Sequence, residues 1–573
     1  ALILSVVFIA ATSCGRLHRT DGQRAAGADD PDALLRQAIQ AERQPAFVTR
    51  DKEGARLWQQ TRSFYEKREF APAWISKGAP RTQMDAFISA LRASDREGID
   101  PELYGSALLE QRRKEAASGF LSHKGFDPKP AAAMDAWLTY LYLKLASDLA
   151  DGVSDLAHAD PAWQIATDPF DPLEHLERAL RDNRVAESLT DLTPRDEEYR
   201  RLRSALAEYR TLAAKGGWPT VPSMKLKPGQ ASPAVHALAR RLAASGEFAG
   251  DTSAEDTSAV YGPRLQDAVK RFQRRHGLTD DGVVGARLVA ELNVPVAARI
   301  RQIELNMERW RWLPRDLGDP HILVNIPEMR LDVREHGTAP VSMRVVVGKE
   351  DTPTPIFNHQ MTYVVFAPYW NVPDDIAQKE TLPAVMKDPT FLERSHMEVV
   401  DKAGRTIDPA SIDLDQPEKY RFRQRPGTSN SLGLVKFMFP NQYNVYLHDT
   451  PADSLFARAS RSLSHGCVRL EQPEKLAQYV LRDQPEWTPE RISEAMHSGT
   501  EQIVKLKTPL PVYLGYWTAR VAADGTVEFR KDVYGIDERQ ATTLAERLER
   551  LRQSTRAATA EIAVPAAPVV AAR

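Results

Sequence analysis

The sequence predicts a multidomain α+β chain: a mostly α-helical N-terminal scaffold, a compact helical module, and a β-rich C-terminal domain with an inserted subdomain. Three observations predict it. The 573 residues exceed one ordinary core and suit about three or four domains of roughly 150 residues each. Apolar residues keep helical spacing through the first half, then change to short alternating or β-branched runs from about residue 320. Between Asp374 and Pro440 that strand pattern is broken by charged helical and loop sequence too long for a plain loop.

Composition narrows the class. Hydrophobic residues make up 42% and charged residues 27% of the chain, the balance of a soluble globular protein. Lys and Arg total 76 against 78 Asp and Glu, which argues against a nucleic-acid partner.

The first segment, residues 1–14, is almost wholly apolar up to Ser13. As a helix it would span only about 20 Å, short of a membrane's roughly 30 Å core, so an export signal fits better than a spanning helix. No Met or basic residue stands before it, so the leader is expected to begin upstream of Ala1. Cys14 follows the small residues, and two readings of it stand. Ala11-Thr12-Ser13-Cys14 resembles a bacterial lipobox, which would give a lipid anchor; alternatively, cleavage near Ala10 to Ser13 leaves an incidental cysteine. Either way the expected location is the periplasm or cell envelope.

Residues 15–34 are polar and rich in Gly, Ala and Asp, a linker composition. Residues 35–220 follow as the helical scaffold, with Trp137 to Leu149 its most apolar stretch and Asp151-Gly152 as the stop. In residues 225–293, Leu265, Val269 and Phe272 stand at i, i+4 and i+7 and give a buried helix face. Residues 318–535 form the β-rich domain, with its insert at about 374–440 as a cap. A charged helix near Glu538 to Gln553 and an Ala/Pro tail complete residues 536–573.

Chemistry concentrates at Ser464-His465-Gly466-Cys467-Val468-Arg469. Cys14 and Cys467 are the chain's two cysteines, so Cys467 stands alone in the mature body. An exported protein ordinarily pairs its cysteines, which leaves Cys467 as a buried small hydrophobe or a reactive thiol. Two imidazoles are close in sequence: His465, and His448 at the end of a predicted strand nineteen residues upstream of the thiol. A neighbouring imidazolium favours the nucleophilic thiolate. Gly466 leaves backbone amides free to point at a developing oxyanion, and Arg469 can hold a carboxylate in its fork. His448, His465 and Cys467 lack the partners of a four-ligand zinc site, so no metal is expected, and acyl-thiol chemistry needs no cofactor.

These residues carry two resemblances. "AVKRFQRRHGLTDDGVVG" resembles the three-helix peptidoglycan-binding module attached to many wall enzymes. The Ser464–Arg469 segment, with Tyr446-Leu447-His448-Asp449-Thr450 before it, resembles the active-site signature of L,D-transpeptidases with the YkuD-type catalytic fold. "MRVVVGKEDTPTPIF", "TYVVFAPYWNVPDDIAQKETLPAVMKDPTFL" and "LGLVKFMFPNQYNVYLHDTP" extend the likeness toward the large, multidomain YcbB-like branch, with its scaffold and capping subdomain.

The resemblance implies that Cys467 is the nucleophile and His448 the general base of a thiolate–imidazolium pair. Gly466 would supply an oxyanion amide, His465 support, and Arg469, Tyr446 and Trp370 substrate positioning. The implied reaction is peptidoglycan cross-linking of the 3→3 type through a cysteine acyl-enzyme, with D-Ala released and carbapenems as inhibitors. Tetrapeptide stems would be donor and acceptor, and other wall-synthesis enzymes partners. Water or a protein lysine as acceptor would make instead an L,D-carboxypeptidase or a protein-attachment enzyme. A non-catalytic wall-binding scaffold is the rival of another class.

Overall fold

The computed structural model describes residues 30–76, 79–121, 128–154, 162–249, 259–388, 390–408, 411 and 419–562. The expected leader with Cys14, most of the linker and the end of the tail lie outside the described residues. Among the described residues no helix is long and apolar enough to cross a membrane.

The N-terminal region is built around the helix Pro128–Asp151. Nearly every residue from Ala131 to Leu149 is buried, because the helix is apolar on all sides and can only sit at the centre of its bundle. Its Asp135 carboxylate accepts the amides of Ala73, Trp74 and Ile75 at 2.8, 2.9 and 2.8 Å. That fixes the chain entering a short hairpin, β1 (Ile75–Ser76) and β2 (Ala79–Pro80). The C-terminal helix, Ile536–Ile562, is longer than the expected charged helix. Leu544, Leu551 and Ala558 recur every seven residues beneath its charges and join the N-terminal core. Arg547 of this helix forms an ion pair with Glu53 and lies 3.7 Å from Asp148.

The middle module packs helices Ala234–Ala244, Pro263–Arg275 and Ala286–Leu292 around Leu238, Leu265, Val269, Phe272, Leu288 and Leu292. The predicted face of Leu265, Val269 and Phe272 is that core. Gly282, at φ +71°, makes the turn whose carbonyl accepts the Tyr261 hydroxyl at 2.7 Å.

The last third is β-rich. A short strand from the scaffold range, β3 (Trp163–Gln164), pairs with it. There follow β4 (His321–Asn325), β5 (Arg330–Glu335), β6 (Thr338–Gly348) and β7 (Ile356–Phe366). Strands β8 (Trp370–Asn371), β9 (Met397–Asp401), β10 (Thr406–Ile407) and β11 (Tyr420–Gln424) form a separate sheet in the order β10-β9-β11-β8. The chain then returns with β12 (Val435–Met438), β13 (Leu447–His448), β14 (Ser462–Ser464), β15 (Val468–Leu470) and β16 (Gln502–Gly515). The main order is β12-β13-β15-β6-β5-β4-β16-β7, and β12 pairs also with β7, which closes the sheet on itself. Closure removes free edges and gives the strands one shared core, including Val324, Leu331, Val347, Val364, Phe437 and Leu447. Helices Glu197–Ala214 and Val296–Arg311 pack Leu202, Leu206, Ile303 and Met307 into the same core.

The inserted subdomain has its own small core of Val372, Val385, Leu392, Met397, Val399 and Phe422. Its sheet begins at Trp370, and the chain rejoins the barrel at Val435, before the expected Pro440. The alternation of Val435 and Phe437, both fully buried, ties that segment to the barrel core.

Candidate active site

The site lies where β13 and β15 run parallel, with Leu447 opposite Val468 and His448 opposite Arg469. Side chains alternate along a strand, so opposite pairs share a face. Leu447 and Val468 are both fully buried in the barrel core. His448 and Arg469 therefore sit on the other face, and Tyr446 and Cys467, two residues before them, share it. The next strand extends the row, since Lys436 of β12 is opposite His448. Its neighbours Val435 and Phe437 point into the core.

A web of short hydrogen bonds fixes the turn before the thiol. The buried Ser464 hydroxyl donates to the Cys467 carbonyl at 2.5 Å and accepts the Gly466 amide at 3.2 Å. Gly466 has φ +112°, a conformation open to glycine and strained for other residues. Its carbonyl accepts the Thr354 hydroxyl at 2.8 Å, and that hydroxyl accepts the Gly348 amide at 2.9 Å. Tyr534 adds a strut from beyond the barrel: its hydroxyl donates to Gly348 O at 2.7 Å and accepts the Thr354 amide at 3.2 Å. Thr354→Val removes a buried hydroxyl from two partners at almost constant volume. It is expected to destabilise the protein by about 1–3 kcal/mol and to slow modification of Cys467, as read by thermal melting and thiol alkylation.

Electrostatics set the resting protonation. Cys467 is partly exposed, and its thiol reaches the Asn444 carbonyl at 3.8 Å. Desolvation pushes the Cys467 pKa up, against the Tyr446 amide and hydroxyl and the Arg469 charge, which favour the thiolate. Burial, then the Arg469 charge, pushes His448 down to about 3, with a smaller contribution from Lys436. Carbonyls of Asp449 and Leu432 pull it the other way. His448 Nδ1 lies 2.5 Å from the Asp449 carbonyl. A carbonyl only accepts, so Nδ1 carries the proton there. Both shifts run against charge separation. Both directions favour the uncharged thiol and imidazole over the expected thiolate–imidazolium pair, and burial is the first cause of each.

The pH consequence follows in sign. A His448 pKa near 3 puts the titration of that ring below the range of about pH 5 to pH 7, where an ordinary histidine would change charge. A raised thiol pKa makes the thiolate fraction climb about tenfold per pH unit through the neutral range. Alkylation of Cys467 by iodoacetamide, followed by peptide mass, is thus expected to rise steadily from about pH 6 to pH 9. A plateau beginning below about pH 7 would reveal a preformed ion pair instead.

Three family profiles match the chain: "Scaffold domain" over residues 59–206, "Putative peptidoglycan binding domain" over 231–292, and "L,D-transpeptidase catalytic domain" over 319–509. The third takes in Tyr446, His448, Cys467 and Arg469. The chain carries a YkuD-family L,D-transpeptidase catalytic domain. It is 35% identical over 242 residues to a Haemophilus influenzae protein named "Putative L,D-transpeptidase". That alignment covers 41% of this chain and 48% of the other, so the chain spans about half the length of the curated relative it matches. Solved L,D-transpeptidases from Mycobacterium smegmatis, Xylanimonas cellulosilytica and Stackebrandtia nassauensis are 16%, 16% and 14% identical, with TM-scores of 0.17, 0.17 and 0.22. The matches cover 34%, 52% and 52% of this chain and 58%, 98% and 96% of theirs. Overlays that weak carry no part of the assignment.

Within the catalytic domain the predicted residues divide. Cys467, Tyr446, His448 and Arg469 come together on one face of β13 and β15. The Gly466 amide, expected to be free for an oxyanion, is held by Ser464, because the turn folds the serine hydroxyl back beneath it. The Cys467 amide is the one without a hydrogen-bond acceptor among the described residues. His465 turns to Glu380 of the inserted subdomain, its Nε2 2.8 Å from the carboxylate. Trp370 pairs with Gln424 and packs against the insert's apolar core. Thr354, Glu380 and Lys436 escaped the sequence reading. Only Lys436 left a signal there, as the polar position in the alternating run Val435-Lys436-Phe437.

Proposed function

We propose that this chain is a peptidoglycan L,D-transpeptidase of the cell envelope, forming 3→3 cross-links through an acyl-enzyme on Cys467. The observation that carries the reading is the shared face of Tyr446, His448, Cys467 and Arg469 inside the matched catalytic domain. The matched peptidoglycan-binding domain supports the choice of substrate.

In this reading Cys467 Sγ attacks the carbonyl that joins the L-centre of meso-diaminopimelate to the terminal D-Ala of a tetrapeptide stem. His448 takes the thiol proton as the S–C bond forms, so no charge is separated before the substrate arrives. The Cys467 amide donates to the oxyanion, an interaction of about 3 kcal/mol in such sites. The C–N bond then breaks, its electron pair leaves on nitrogen, and His448 returns the proton to the departing D-Ala. The side-chain amine of a second stem attacks the thioester and gives up a proton to His448, the C–S bond breaks, and His448 returns that proton to the sulfur. Carbapenems are expected to acylate the same sulfur.

Purified protein incubated with disaccharide-tetrapeptide should yield a 3→3 dimer and free D-Ala, resolved by chromatography and mass. A tripeptide monomer as the sole product would make water the acceptor. An unchanged tetrapeptide would remove the proposed activity.

A further inference from the structure

Three adjacent strands place Lys436, His448 and Arg469 side by side in one row, on the face of the thiol. Neighbouring strands lie about 4.8 Å apart, so the backbone sets a cationic side chain on either side of the imidazole. Each cation acts on His448, and Arg469 acts also on Cys467. Neither is held in an ion pair where it stands, and among the described residues only Lys436 feels a carboxylate, Glu501. Among the described residues Lys436 and Arg469 form no ion pair, and the Arg469 Nε is buried without a hydrogen-bond partner. Glu501, which accepts the Tyr369 amide at 2.8 Å, is the carboxylate whose field reaches Lys436. Half-buried, unpaired cations are costly unless something anionic is to be bound beside them.

The proposed reaction supplies such an anion, and its geometry says where. The nitrogen that departs must meet His448 to collect its proton. In an α-amino acid leaving group, the carboxyl carbon is two bonds from that nitrogen, about 2.5 Å away. The carboxylate is thereby carried to the flanks of His448, where the two cations are.

We propose that Lys436 and Arg469 together clamp the α-carboxylate of the departing amino acid, and that Lys436 is a specificity-determining residue of the site. This rests on the transpeptidase reading and adds a selection rule to it. The bond cleaved must precede a C-terminal residue, because an amide-capped or internal residue brings no charge to the clamp.

The test compares two stems differing only at their end, a free D-Ala carboxylate or its carboxamide, in wild type, Lys436→Met and Lys436→Arg. The readout is kcat/KM for release of the terminal residue. Wild type is expected to prefer the carboxylate by about 10- to 100-fold, as for a hydrogen bond to a charged group. Lys436→Met should lose about tenfold of that preference, mainly through KM, and Lys436→Arg should keep most of it. A purely structural lysine would slow both stems by one factor in Lys436→Met, and that result overturns the clamp. Wild type cleaving both stems alike also overturns it, whatever the variants do, while leaving the transpeptidase reading standing. Wild type cleaving neither stem would instead remove that reading and the clamp with it.

Discussion

Cys467→Ala is expected to abolish acyl transfer, with D-Ala release and carbapenem adduct both falling to background. No other thiol on the described residues could take over, and the second cysteine of the chain, Cys14, lies outside them. The variant should still fold. The turn is held through backbone atoms and the hydroxyls of Ser464 and Thr354, while Sγ contributes a 3.8 Å contact with Asn444 O. The melting temperature should therefore stay near wild type while activity vanishes. Cys467→Ser should be almost as inactive, since a hydroxyl is a much weaker nucleophile than a thiol at neutral pH. An adduct of unchanged mass yield in Cys467→Ala would show that acylation occurs elsewhere.

His448→Gln should slow acylation by about 10²- to 10⁴-fold, the usual contribution of a positioned general base. Glutamine keeps much of the volume and can still donate to the Asp449 carbonyl, so the barrel should tolerate it better than alanine. The rate that remains should come from direct ionisation of the thiol and rise with pH. His465→Ala is the informative contrast. That ring is joined to Glu380 at 2.8 Å, a contact between the nucleophile turn and the insert, and its loss should cost far less. Acylation kinetics of the two variants, followed by intact mass with a carbapenem, decide which histidine is the base. Near-normal acylation in His448→Gln would transfer that role to His465.

The order of α scaffold, helical module and β-rich domain was legible because each depends on local periodicity. Leu265, Val269 and Phe272 are core in the sequence pattern and core in the structure. The nucleophile turn was legible as a motif, and strand alternation alone pairs Tyr446 with His448 and Cys467 with Arg469. What joins those two pairs is the parallel register of β13 and β15, a tertiary fact set by how the barrel closes. Lys436 enters the row only through β12, which the intervening insert separates from β7 in sequence. The two pKa shifts were hidden for the same reason, since both arise first from burial, and the Arg469 and Lys436 charges that add to the His448 shift stand on neighbouring strands. Ser464 closing on the Gly466 amide is a matter of one side-chain rotamer, below what residue types can reveal. The C-terminal helix looked like a charged appendage because its buried positions, Leu544, Leu551 and Ala558, form too thin a stripe to stand out among charges.

One measurement bears most directly on the acyl-carrying role of Cys467. Wild-type protein is mixed with a tetrapeptide stem in the absence of a competent acceptor amine, quenched in acid, and digested for peptide mass. The mechanism predicts a tripeptide stem in thioester linkage on the peptide containing Cys467, with D-Ala released in equal amount. D-Ala release with no adduct at Cys467, or at the same rate from Cys467→Ala, would contradict it.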